Sequence, residues 1–211
     1  MSEKKIGYDD AYSLKTPEDS IKLYKKWAKT YDKDFALSSN YLSPKKISSF
    51  FNKYSKNTDT PILDVGAGTG LVGELLYRSG NKKIIGIDIS SEMLDQAKLK
   101  GCYDSLMKVD ITKEIPFKNN SIGAVVSAGT FTHGHVGPNA FDELLRITKP
   151  GGLFVLSINT KVFIKNGFKE KFMQIKNSIT KPLFNKFKVH ANYDERFSKI
   201  KVFASIFRKK L

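Results

Sequence analysis

Residues 62–70 read ILDVGAGTG, from Ile62 to Gly70: a short apolar run that breaks into alternating glycines. The four residues before Gly66 are enough for one short buried strand. After Gly70, Val72, Leu75 and Leu76 recur at helical spacing and turn inward together. Gly66, Gly68 and Gly70 therefore fall in a strand-to-helix turn. Missing side chains there permit unusual dihedrals and close approach of a ligand. In an open parallel sheet such a turn lies beyond the carboxyl end of its strand, where ligands bind. A tight structural turn is the alternative.

The same alternation continues on the carboxyl side. KIIGID reads as a second strand, and Ser90 or Ser91 can cap a helix carrying Met93, Leu94 and Ala97. SLMKVD fits a third strand and IGAVVSAG a fourth. Phe141, Leu144, Leu145 and Ile147 mark a helix, KPGG a turn, and LFVLSIN a fifth strand. Strands alternating with helices through short connections predict a parallel sheet covered on both faces. GFKEKFMQIKNSI reads as helical, whereas FKVHANYDERF and IKVFASIFRK read as two extended segments forming a terminal hairpin. Before the first strand, residues 1–17 read as a charged, flexible arm. Ile21, Tyr24, Ala28 and Tyr31 share one helical face beside Trp27. Ser43-Pro44 opens a second helix with Ile47, Phe50, Phe51 and Tyr54 on its apolar side. This divides the chain into an arm with cap helices over residues 1–58 and a core over 59–211.

The chain has 211 residues, 40% of them hydrophobic, which suits one domain with its own core. A single cysteine, Cys102, allows no disulfide framework within the chain, and the opening MSEKKIGYDD lacks an apolar signal core. A cytoplasmic location is the expectation. No segment approaches 18 uninterrupted apolar residues, so no membrane partner is expected. The formal net charge is +15, which raises the question of nucleic acid. Yet 32 of the 36 basic residues are lysines, and bidentate contacts to bases or phosphates favour the arginine fork. A lysine-biased surface with no specific role is preferred to an anionic substrate, and that in turn to RNA or DNA.

Three ligand classes compete for the glycine turn. A nucleoside triphosphate loop needs GxxxxGK, but Leu71 follows Gly70 where lysine is required. A dinucleotide fingerprint needs GxGxxG, and counting from Gly66 its third glycine falls on Leu71. Asp64 also presents negative charge near the space a pyrophosphate needs. A zwitterionic ligand with a cationic amine fits better. At this point ILDVGAGTG resembles motif I of the class I S-adenosylmethionine-dependent methyltransferases. Asp88, closing IIGIDIS, resembles the acidic residue that holds the ribose hydroxyls. Asp110-Ile111 resembles the pair flanking adenine, and RITKPGGLFVLS the segment entering the fifth strand. A closer resemblance, to the methyltransferase-like proteins named after the Williams–Beuren syndrome region, is carried by YKKWAKTYDKDF and GTFTHGHVGPNAFDELLRITKPGG.

The resemblance implies a Rossmann-like α/β fold. Its seven-stranded sheet is mainly parallel, with helices on both faces and an antiparallel terminal strand, IKVFASIFRK, inserted beside strand five. It implies S-adenosyl-L-methionine as cofactor and S-adenosyl-L-homocysteine as product. Gly66, Ala67, Gly68, Gly70 and Leu71 would line the methionine end. Asp64 would hold the amino group directly or through water, since opposite charge suits a partly buried amine. Asp88 would accept from both ribose hydroxyls and Asp110 from the adenine amino group, with Ile89, Met93 and Ile111 packed about the base. Ser127 and Ala128 would follow strand four at the transfer channel, and Tyr31 would reach the cofactor from the amino-terminal helices.

For the acceptor, the candidates are Tyr24, Trp27, Thr130, Phe131 and His133. His133 and His135 are the candidate bases, because imidazole changes protonation near neutral pH. Hydrogen bonding that shapes a lid is their alternative role. Their spacing alone does not make a metal site, since neither a cysteine cluster nor HExxH accompanies it. SAGTF stands where many nitrogen methyltransferases carry an Asn/Asp-Pro-Pro-aromatic signature, which argues against nucleic-acid base chemistry. The expected activity is methyl transfer to a small-molecule acceptor. The alternatives are a non-catalytic S-adenosylmethionine-binding protein and, behind it, an RNA methyltransferase.

Overall fold

The protein, seen in a computed structural model, is described at residues 6, 10, 14, 16–133, 136–191 and 200–211. Helix α1 spans Pro17–Trp27, a π-helical turn Asp32–Leu37 and α2 Ser43–Tyr54. Then follow β1 (Ile62–Val65), α3 (Leu71–Arg78), β2 (Ile84–Asp88), α4 (Ser91–Leu99), β3 (Ser105–Lys108) and β4 (Ile122–Phe131). The chain continues through α5 (Ala140–Ile147), β5 (Thr148–Asn159), α6 (Thr160–Lys165), α7 (Phe168–Gln174), β6 (Leu183–Lys188) and β7 (Lys201–Arg208).

The strands form one seven-stranded sheet in the order β3-β2-β1-β4-β5-β7-β6. β1 pairs in parallel with β2 and β4, and all four of its residues are buried. β7 runs antiparallel to both β5 and β6, in the place expected for IKVFASIFRK. Strand alternation splits the core in two. Leu63, Val65, Phe154 and Leu156 pack with α5 and α7 on one face. Ile62, Val155 and Ile206 pack with Ile47 and Phe51 of α2 and Leu76 of α3 on the other. Arg208 anchors the inserted strand: its Nη1 and Nη2 donate to the two carboxylate oxygens of Asp59 at 2.8 and 2.9 Å.

Some local readings shift. Beyond LFVLSIN, Asn159 accepts from the Lys161 amide at 2.9 Å and caps the short α6, which the sequence reading does not mark. β6 starts at Leu183, ahead of FKVHANYDERF, of which residues 192–197 lie outside the described residues. KPGG, read as a turn, lies within β5. Among the described residues no helix is long and apolar enough to cross a membrane.

Candidate functional site

The carboxyl ends of β1, β2, β4 and β5 open into one cleft, closed on the far side by α1 and the π-helical turn. The glycine turn forms its floor, and its backbone is held from beneath. The Gly66 and Ala67 amides donate to the Ile87 carbonyl at 2.9 and 3.0 Å, and the Gly70 amide to Ala67 at 2.9 Å. The Gly68 amide donates to Asp88 Oδ2 at 2.9 Å. Four of the loop's N–H groups are thus engaged within the protein, so the turn does not offer a ring of donors to a phosphate. The glycines serve close approach instead. Gly66 has φ +66°, and a Cβ there would stand 2.1 Å from Thr130 Oγ1. That hydroxyl is itself fixed by donation to the Val65 carbonyl at 3.0 Å.

Asp88 ends β2 at the cleft wall. Its second oxygen accepts from the Ser90 amide at 2.9 Å, so backbone N–H groups hold the carboxylate in one orientation. Burial raises its pKa, against those amide contacts. Asp110 lies further along. Partial burial pushes its pKa up, but the Thr112 hydroxyl and amide outweigh this and hold it below the usual carboxylate range. Ile89, Met93 and Ile111 line the wall around these two acids, with Ala67, Gly68 and Leu71 at the glycine end.

Asp64 departs from expectation. It is fully buried and does not line the cleft. Strand alternation turns Leu63 and Val65 one way and Asp64 the other, towards α3. There Tyr103 donates its hydroxyl to Oδ2 at 2.7 Å. Burial pushes the Asp64 pKa up to about 7, the Tyr103 and Gly73 hydrogen bonds pulling the other way. Asp64 therefore sits at the amino end of α3, where a pyrophosphate would have to stand. Gly70 and Ser127 also stand back from the cleft. A Cβ on Gly70 would press on Tyr103 and Ala97, and Ser127 is buried with its hydroxyl on the Val65 carbonyl at 2.7 Å.

The opposite wall is aromatic. Tyr24, Trp27 and Tyr31 line it as expected of the cap, joined by Phe35 and Tyr41. Ring centroids lie 5.0 Å apart for Trp27–Tyr31, 5.0 Å for Tyr31–Phe35 and 5.3 Å for Phe35–Tyr41. Helical spacing of four from Trp27 through Tyr31 to Phe35 carried the signal for Phe35. Nothing local marked Ser157, Asn159 or Val202, which reach the cleft from separate segments. Ala128, Thr130, Phe131 and His133 line it from the end of β4. Burial, then the charges of Lys161 and Lys165, hold the His133 pKa below its ordinary value, so the ring is neutral at pH 7. His135 lies outside the described residues.

A polar link joins the two walls. Thr69, in the glycine turn, donates its hydroxyl to Asp32 Oδ1 in the π-helical segment. Lys100 donates to Asp32 Oδ2 at 2.7 Å and to Glu74 Oε2 at 3.1 Å.

Residues 63–156 match the family model for a methyltransferase domain. Human methyltransferase-like protein 27 is 33% identical over 153 residues, covering 71% of this chain and 62% of the human protein. An uncharacterised Methanocaldococcus jannaschii protein is 31% identical over 163 residues, covering 75% of this chain and 60% of its own length. The chain thus spans about three fifths of these relatives. A Thermotoga maritima structure described as an S-adenosylmethionine-dependent methyltransferase superposes with a TM-score of 0.62 at 18% identity, covering 89% of this chain and 98% of that one.

Proposed function

We propose that the chain, which matches a methyltransferase domain over residues 63–156 and is similar to methyltransferase-like protein 27, uses S-adenosyl-L-methionine to methylate a small-molecule acceptor. The observation that carries the reading is Asp88: a carboxylate fixed by two backbone amides, beside a glycine turn whose N–H groups are engaged elsewhere. That combination fits an adenosyl ligand with ribose hydroxyls to donate, and opposes a dinucleotide. Asp88 retains lone pairs for those hydroxyls, and Asp110 offers an ionised acceptor for the adenine amine. Ile89, Met93 and Ile111 give the base apolar faces. Ala67, Gly68 and Leu71 adjoin the methionine end, and Tyr31 covers the ligand from the cap.

When bound, the sulfonium cofactor supplies an activated methyl group. The remaining work of the chain is alignment and proton removal. Tyr24, Trp27, Thr130 and Phe131 enclose the acceptor. Neutral His133 takes its proton on an imidazole nitrogen. The aromatic cap over the cleft favours a small acceptor over a folded nucleic acid.

Calorimetry with S-adenosyl-L-homocysteine and NAD, followed by a metabolite-extract screen with labelled methyl donor, tests this. Binding of the first ligand but not of NAD, with a labelled small product, is the expected outcome. Absence of S-adenosyl-L-homocysteine binding defeats the reading. Tight binding without any labelled product favours the non-catalytic alternative, and label confined to RNA overturns the small-molecule acceptor.

A further inference from the structure

Formal charge is unevenly distributed along the chain. Residues 160–211 contain 14 Lys and Arg against three Asp and Glu, a formal +11, whereas residues 1–159 contain 22 against 18, or +4. A quarter of the chain thus carries most of the charge that composition alone left unexplained.

The fold gathers much of it on one face. In the β6–β7 register Lys186 stands opposite Phe203 and Lys188 opposite Lys201. Strand alternation puts Phe184, Lys186, Lys188 and Lys201 on the side where α6 and α7 pack. Phe163 of α6 meets Phe184 at 5.3 Å, and Phe172 of α7 meets it at 5.2 Å between centroids. Like charges directly opposite on a sheet are unfavourable unless something neutralises them. Among the described residues, Lys161, Lys165, Lys186, Lys188 and Lys201 are exposed, and none is in an ion pair. Large apolar side chains of the same elements are exposed as well: Ile164 is 67% exposed, Met173 63% and Phe184 41%.

Three observations select the partner. The three described arginines are engaged within the fold: Arg78 with Glu74, Arg146 with Glu143 and Arg208 with Asp59. Among the described residues the exposed cations on this face are therefore ammonium groups, hydrated point charges without the fork that reads phosphates bidentately. Exposed aliphatic groups among lysines gain little from a sugar-phosphate backbone but enter the headgroup–acyl boundary of a bilayer. Finally, the face reaches the cleft, because Asn159 lines the cleft and caps α6, and Lys161 and Lys165 act on His133.

We propose that α6, α7 and the β6–β7 strands dock the protein peripherally on an anionic lipid bilayer. The lysines lie over the headgroups, and Ile164, Met173 and Phe184 enter the acyl boundary. Such docking needs no spanning segment, and it brings the cleft mouth to the surface from which an apolar acceptor would arrive. The binding does not depend on methyl transfer, so it is measured on the full chain without cofactor.

The test is flotation with vesicles of phosphatidylcholine alone or with about 30 mol% phosphatidylserine, a composition that gives a negative surface potential. The anionic vesicles should bind at least about tenfold more protein. Each lysine near such a surface contributes about fivefold, so joint Lys186→Gln, Lys188→Gln and Lys201→Gln substitution should cost about a hundredfold. Lys45→Gln, Lys46→Gln and Lys53→Gln on α2, packed on the opposite sheet face, make the same change in net charge. They should have little effect, which also controls for folding and for long-range attraction. Ile164→Ser with Phe184→Ser should weaken binding while leaving its salt dependence intact. Equal binding to neutral vesicles, or equal losses in the two lysine triples, overturns the proposal. Saturable RNA binding lost in the first triple, with no vesicle binding, assigns the face to nucleic acid instead.

Discussion

The two walls of the cleft are built from different materials. The floor and the β2 wall use backbone: a turn whose amides are tied to Ile87 and Asp88, and a carboxylate oriented by two N–H groups. The cap wall uses side chains of one amino-terminal stretch, packed ring against ring from Trp27 to Tyr41. Backbone geometry follows from few residue choices and tolerates little change. A packed aromatic wall can be re-lined position by position, since related rings fill similar volumes. The contrast suits a site that keeps one ligand constant and varies the other. It predicts that substitutions on the two walls produce separable defects.

The largest separable defect should come from His133. If it is the base, His133→Ala lowers turnover by about a hundredfold or more while leaving S-adenosyl-L-homocysteine affinity unchanged. Its depressed pKa sets the pH profile. Because the ring gives up its proton below the ordinary value of 6.5, kcat/KM should rise with pH below 6.5 and be level above it. The variant should lose that slope. Calorimetry and labelled-methyl rates on one preparation read both quantities. A matched fall in cofactor affinity would merge the two walls and remove the assignment.

Next comes the fixed wall. Asp88→Ala removes an acceptor for charged hydrogen bonds, each worth about 1.5–3 kcal/mol, so S-adenosyl-L-homocysteine should bind about thirtyfold more weakly. The folded protein should keep its near-ultraviolet signal. Unchanged affinity would show that ILDVGAGTG and its acidic partner do not form the ligand floor.

How much of this was legible from sequence follows the same division. The alternation of strands and helices, the glycine turn and the acid ending β2 were readable because each depends on residues close in the chain, whereas the place of the inserted β7 came from the family resemblance. Asp64 was misplaced because its direction depends on strand phase and on Tyr103, 39 positions away. Ser157 and Val202 carried no local signal, since only the assembled sheet and cap bring them together. The same applies to the basic face. Its lysines looked scattered until the β6–β7 register placed Lys188 opposite Lys201.

Tyr103 gives a smaller, pH-dependent effect beneath the fixed wall. A buried Asp64 whose pKa is raised to about 7 binds its proton more tightly folded than unfolded, where the ordinary value is 3.8. The folded state therefore loses stability as pH rises between those values, with no further change above. Tyr103→Phe removes the hydroxyl that favours the charged form. It should cost about 1–2 kcal/mol at pH 8 and less at pH 5, where Asp64 is protonated. Chemical denaturation at the two pH values measures it. Equal costs would mean that Tyr103 acts through packing alone.

The smallest effect is the one that tests whether the two walls move together. Thr69 belongs to the glycine turn and Asp32 to the segment carrying Tyr31 and Phe35, so their hydrogen bond, with Lys100 behind it, ties floor to cap. A ligand held between the walls benefits from any contact that keeps the cap in place, and by linkage it stabilises that contact in return. Partial exposure limits the ion pair, so Asp32→Ala should weaken S-adenosyl-L-homocysteine about fivefold. Asp32→Asn retains an acceptor for the Thr69 hydroxyl but loses the charge facing Lys100. It should fall between wild type and Asp32→Ala, and should lose part of the wild-type sensitivity to salt. Hydrogen exchange supplies the second readout: amides of residues 31–37 should exchange faster in Asp32→Ala, and added ligand should slow them less than in wild type. If exchange accelerates while affinity stays constant, the cap opens without consequence for the floor. The two walls would then be energetically independent as well as differently built.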